Sequence, residues 1–119
     1  MNDIFKITKA ISDETRVRAL LTLTEGELCL CQIIEILQLA PSTISKHMNI
    51  LFDAGLIEKR KQGKWQYYRL PTKPTPTIKQ ILKWTITNLQ ENPAIQSDKK
   101  TRCCIINKDL EELCACYKK

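Results

Sequence analysis

Six cysteines stand in three close pairs, Cys29 with Cys31, Cys103 with Cys104, and Cys114 with Cys116. A thiolate is a soft donor and selects soft or borderline ions, namely trivalent arsenic or antimony, zinc, cadmium and monovalent copper. Trivalent arsenic keeps a lone pair and takes three thiolates in a pyramid, whereas its monomethylated form offers only two positions. Adjacent Cys103 and Cys104 suit a two-thiolate grip, with Cys114 or Cys116 within reach as a third ligand. Residues two apart on a regular helix point about 200° away from each other. Cys29 and Cys31 therefore chelate together only if the helix begins between them or unwinds. Against each pair stands the plain reading of cysteine as a small buried hydrophobe, which competes most strongly at Cys114 and Cys116.

A second constellation lies on the segment Ser42 to Ala54. At steps of about 100° per residue, Ile44, Met48 and Leu51 gather on one side and Ser42, Ser45, Lys46 and Asn49 on the other. Short polar groups and one cation, without steric bulk, suit entry into a DNA major groove. His47 falls between the faces, where it either touches a phosphate or lies half-buried. Downstream, Lys59, Arg60, Lys61, Lys64 and Arg69 face only Glu58, a basic tip suited to phosphate or minor-groove contact. Tyr67 and Tyr68 either donate hydroxyls to phosphates or pack on the neighbouring helix. The candidate DNA contacts are Ser42, Thr43, Ser45, Lys46, His47, Asn49, Arg60, Lys61, Lys64 and Tyr68.

The elements that must position these groups are legible as periodicity and punctuation. Ile4, Ile7 and Ile11 recur at helical spacing. Ser12 or Asp13 caps a second helix that starts at Thr15 and stops by Gly26. Cys31 to Leu37 reads as a short third helix, and Gln38 to Pro41 as the break before the fourth, since proline fits a helix's first turn. Two short helices across a tight turn form a helix-turn-helix. Ile57 to Leu70 is β-rich on both sides of Gly63, a hairpin. Pro71, Pro74 and Pro76 stiffen the connector. Thr77 to Glu91 places Ile78, Ile81, Leu82, Thr85, Ile86 and Leu89 on one face, and Pro93 opens a weaker pair of helical segments holding four cysteines. The expected fold is mainly α with a small β-hairpin wing, with residues 1–92 as the DNA-binding and dimerisation unit and residues 93–119 as a cysteine-bearing extension of it.

Size and charge agree with this. At 119 residues the chain is one domain long, and a monomer so small buries a limited core. The 19 Lys and Arg against 13 Asp and Glu leave a net charge of +6, which favours a polyanionic partner. Nothing in the chain reads as a signal peptide or membrane span, so a cytoplasmic location with reduced thiols is expected.

The residues Glu27-Leu-Cys-Leu-Cys-Gln, Ala40-Pro-Ser-Thr-Ile-Ser-Lys-His-Met, Ala54-Gly-Leu-Ile and Gly63-Lys-Trp-Gln-Tyr-Tyr-Arg-Leu resemble the ArsR/SmtB family of metal-sensing winged helix-turn-helix repressors, from about residue 3 to residue 90. The resemblance implies a homodimer through the first and fifth helices. It also implies binding to an inverted-repeat operator of a detoxification operon, with release on effector binding. The stripes on Ile4, Ile7 and Ile11 and on Thr77–Glu91 exceed what a small monomer covers, which agrees with a dimer. The arsenic branch commonly adds a third cysteine three residues after the second, where this chain has Ile34. The family's zinc sites on the fifth helix use His and carboxylates, whereas His47 is the one histidine here and Thr77–Glu91 holds only Glu91. The cadmium-type site needs a cysteine before Cys29. The expected effector is arsenic(III), methylarsenic(III) or antimony(III), with no cofactor required.

Two rivals keep the scaffold and change its use. One is a thiol redox or persulfide sensor, and the other a protein–protein adaptor with structural zinc. Enzyme chemistry is not expected, because no His–Cys or paired-carboxylate arrangement and no phosphate-cradling glycine loop is apparent among three glycines.

Overall fold

The computed structural model describes residues 2–107. Helix α1 (Asn2–Ala10) leads into α2 (Glu14–Leu21), whose start is fixed by Asp13, its carboxylate accepting from the Arg16 N–H at 3.1 Å. Strand β1 (Leu28–Cys29) runs directly into α3 (Leu30–Leu37). Gln38 then takes a left-handed conformation (φ 56°) that ends α3, and α4 (Pro41–Asp53) begins with proline in its first turn. The hairpin β2 (Glu58–Gln62) and β3 (Trp65–Arg69) turns at Gly63, whose φ of +63° is the left-handed value that glycine adopts without steric cost. Helices α5 (Pro76–Leu89) and α6 (Pro93–Ile105) follow, capped by Thr75 and Asn92.

The sheet has three strands in the order β1-β3-β2, all antiparallel, with Leu28 opposite Tyr68 and Cys29 opposite Tyr67. The sequence reading contained the hairpin and not β1, because a two-residue strand carries no alternation to detect. The expected pair of weak segments after Pro93 is, within the described residues, one helix of 13 residues.

Leu20, Leu28, Ile33, Ile44, Met48, Leu51 and Leu56 are all less than 2% exposed and form the centre of the core. Each such aliphatic side chain contributes about 1.5–3 kcal/mol relative to exposure. Ile7 and Ile78 join this core, while Ile4, Phe5 and Trp84 stay on the surface at 47, 73 and 61% exposure. The stripes on α1 and α5 are thus split between the monomer core and an uncovered remainder. Helix α6 packs on α2 and α3. Ile95 lies with Val17 and Leu21, and Ile105 enters the main core.

Two charged contacts anchor α6 further. Arg18 grips Asp98 with two bonds of 2.8 and 2.9 Å, and Arg102, 7% exposed, donates to the carbonyls of Thr22 (2.9 Å) and Gly26 (3.2 Å) just beyond α2. A cation there satisfies carbonyls that the helix and its following turn leave without partners. Among the described residues no helix is long and apolar enough to cross a membrane.

Candidate nucleic-acid interface and thiol sites

Helix α4 divides as its periodicity predicts. Ile44, Met48 and Leu51 are fully buried, whereas Ser42, Thr43, Lys46 and Asn49 are exposed and Ser45 and His47 half-buried. The buried side fixes the helix on α2 and α3, so the polar side is presented by a rigid element. His47 is engaged on its inner edge, with Nδ1 3.3 Å from Nη1 of Arg16.

The wing is less freely basic than its composition suggests. Arg60 is held bidentately by Glu27 (2.7 and 2.8 Å) and lies over the Tyr67 ring, and this pairing keeps the Glu27 carboxyl below the usual glutamate range. Arg69 pairs with Glu58 at 3.1 Å. Lys59 covers Phe52 and Lys64 covers Trp65 at 4.3 and 4.9 Å from the ring centroids. Lys61 is exposed and, among the described residues, has neither an ion pair nor a ring contact. The exposed Arg60 guanidinium is paired with a carboxylate that sequence proximity did not reveal. One expectation is corrected. Tyr68 is 3% exposed and belongs to the core, and burial pushes its phenol pKa up, so it is not the exposed phosphate donor that the hairpin pattern suggested. Residue alternation puts Tyr67 and Tyr68 on opposite faces of β3 but does not say which face packs against α3.

The thiols occupy contrasting places. Cys29 is 1% exposed at the N-cap of α3, its own N–H donating to Gln32 Oε1 at 2.8 Å. Burial pushes its thiol above the ordinary value, against N–H groups of Cys31, Gln66 and Leu30 that pull it down. The helix does begin between Cys29 and Cys31, which removes the geometric objection to a shared ligand. Cys31, however, is disulfide-bonded, which departs from the reduced thiols expected of the sequence. Ile34, where a third cysteine would stand, is a core residue.

Cys103 and Cys104 are free and exposed at the end of α6. Cys114 and Cys116 lie outside the described residues. Among the described residues no three His, Cys, Asp or Glu side chains are grouped to hold a metal ion. Sequence reasoning missed Arg16, Glu27, Asp98 and Arg102. Each acts across the fold, and only the i, i+4 spacing of Asp98 and Arg102 hinted at one shared face.

Residues 13–59, which hold the helix-turn-helix, match the family model described as the bacterial regulatory protein, arsR family. The chain is 37% identical over 86 residues to the arsenic resistance transcriptional regulator ArsR1 of Pseudomonas putida, spanning 71% of this chain and 67% of that one. The chain belongs to the ArsR family. Another relative, a CadC homologue from Staphylococcus aureus named for cadmium resistance regulation, is 42% identical over 69 residues, or 57% of each chain. This ArsR-family chain thus spans little more than half of that relative's length. Its fold is similar to the homodimeric winged helix-turn-helix domain Mb0332 of Mycobacterium bovis, with a TM-score of 0.64 at 23% identity, covering 77% of this chain and 82% of that one. The mainly helical, winged architecture of the ArsR-family chain is therefore that expected from its residues, extended by α6.

Proposed function

We propose that this chain is a dimeric transcriptional repressor that holds an inverted-repeat operator through α4 and the wing, and releases it when Cys103 and Cys104 capture an arsenical or antimony(III). The observation that carries the reading is a free, exposed, adjacent thiol pair on a helix packed against α2 and α3, the same two helices on which the polar α4 rests. Two neighbouring thiolates match the two open positions of monomethylated arsenic(III). Inorganic arsenic(III) needs a third thiolate, for which Cys29, Cys31, Cys114 and Cys116 are the candidates. Exposed Ile4 and Phe5 on α1 and Trp84 on α5 support a partner subunit over those helices. The DNA contacts proposed are Ser42, Thr43, Ser45, Lys46, His47 and Asn49 on α4 with Lys61 and Lys64 on the wing.

Release follows from spacing. The two recognition helices of a dimer must meet successive major grooves about 34 Å apart, so a small change at the interface abolishes simultaneous contact. A redox-sensing repressor is the second reading, favoured by the disulfide at Cys31. Mass spectrometry of the reduced chain with methylarsenite, arsenite and cadmium separates these. Methylarsenic retained by the wild type and lost in Cys103→Ser/Cys104→Ser is the expected result. Retention by the double variant contradicts the site, and cadmium bound in preference contradicts the effector class.

A further inference from the structure

Arg16 ties together three elements. Its Nε donates to the Ala10 carbonyl at 2.9 Å and its Nη2 to the Lys9 carbonyl at 3.2 Å, both at the C-terminal end of α1, and its Nη1 meets His47 Nδ1 on α4 at 3.3 Å. Terminal carbonyls of a helix lack intrahelical partners and attract a cation, so α1 holds the guanidinium from one side. Asp13 is the anionic neighbour of both Arg16 and His47. An arginine side chain has only donors and does not lose its proton, so the contact to His47 requires Nδ1 to accept. A neutral imidazole that accepts at Nδ1 carries its proton on Nε2. His47 is half-buried, and among the described residues no buried side-chain nitrogen or oxygen lacks a partner. Among the described residues Nε2 has no partner, so it reaches solvent, on the helix that carries Lys46 and Asn49 outward.

We propose that Arg16 is a positioning residue for DNA reading: it fixes His47 as the Nε2–H tautomer and aims that proton at a hydrogen-bond acceptor of the DNA. The acceptor is a phosphate oxygen or a base-edge nitrogen or oxygen, and both present the same lone-pair chemistry. The same guanidinium joins α1, whose Ile4 and Phe5 are exposed, to the reading helix, so that helix is aimed from the proposed dimer face. The proposal rests on the reading of α4 as the DNA-facing helix.

The test has a part that needs no DNA. His47 is the one histidine of the chain, so its ring nitrogens are observable without assignment. A long-range proton–nitrogen correlation spectrum of the full chain at about pH 8, well above the ordinary imidazole titration, reads the tautomer directly. Nδ1 unprotonated and Nε2 protonated in the wild type, moving toward an average of both tautomers in Arg16→Lys, is the expected result. A proton on Nδ1, or ring shifts unchanged by Arg16→Lys, overturns the proposal.

The second part is a double-mutant cycle on the chain's own promoter fragment. Arg16→Lys should weaken binding about 10-fold when His47 is present, the scale of one lost hydrogen bond, and less than about 2-fold in His47→Ala. Equal losses in both backgrounds overturn it. His47→Gln, whose amide supplies a donor at similar reach, should recover most of the affinity lost in His47→Ala, and no recovery counts against the donor role. Equal effects on promoter and random DNA identify the acceptor as phosphate, and larger effects on the promoter identify a base edge. A wild type that binds no promoter refutes the reading of α4, while the ring spectrum still decides the tautomer.

Discussion

Cys29 and the Cys103–Cys104 pair hold the same functional group at opposite extremes of access. Cys29 is locked between β1 and the first turn of α3, 1% exposed and shifted toward the neutral thiol by burial. Cys103 and Cys104 stand free on the exposed end of α6. A soft ligand arriving from solution therefore meets α6 first. It reaches Cys29 only after the start of α3 opens, and because Cys29 pairs with Tyr67, that opening pulls on β3 and the wing. Which thiols receive a ligand and which thiol is mechanically joined to the proposed DNA face are separate questions in this molecule.

The largest expected effect is kinetic. Alkylation of the reduced chain at neutral pH should label Cys103 and Cys104 roughly 100-fold faster than Cys29, which reacts only through local opening and from its minor thiolate form. Peptide-resolved mass spectrometry measures the ratio, and comparable rates would erase the contrast. Raising the pH should narrow the gap, because the elevated Cys29 thiol then gains thiolate.

The next effect sharpens what holds α6 in place. Arg102→Gln leaves the Thr22 and Gly26 carbonyls without their charged donor, and a loss of about 2 kcal/mol in chemical denaturation is expected. An unchanged midpoint would mean that apolar contacts alone hold the helix.

Much of this architecture was readable in the residues because it is local. Pro41, the buried triad Ile44, Met48 and Leu51, and Gly63 each impose their element through backbone geometry or helical period. The unread parts are long-range. Strand β1 exists through pairing with β3. The Glu27–Arg60 contact joins residues 33 apart, and the Arg18–Asp98 contact joins residues 80 apart. The same distinction explains the two tyrosines. Their alternation was visible, but the identity of the covered face depends on α3, a helix contributed from elsewhere in the chain. On the thiol side the sequence showed which residues were soft ligands, while only the fold separates their accessibilities.

The smallest effect tests the border of β1. Arg60 holds the Glu27 carboxyl below the usual glutamate range, so this pair's contribution is complete above the ordinary glutamate pKa and is lost as pH falls through the lowered folded value. Glu27→Gln should make the loss of stability between about pH 5 and pH 2 slightly shallower and raise Cys29 alkylation modestly. Unchanged acid denaturation would show that the ion pair adds nothing in water, as exposed pairs sometimes do.

The central claim is that sulfur and operator are alternative partners of one assembly. Fluorescence anisotropy of a labelled promoter fragment, titrated with reduced chain before and after loading with methylarsenite, tests it most directly. The account predicts binding weakened by roughly 5–150-fold, the usual range of coupling between sites, and restored by a competing dithiol. Undiminished affinity with Cys103 and Cys104 verified as loaded would contradict it.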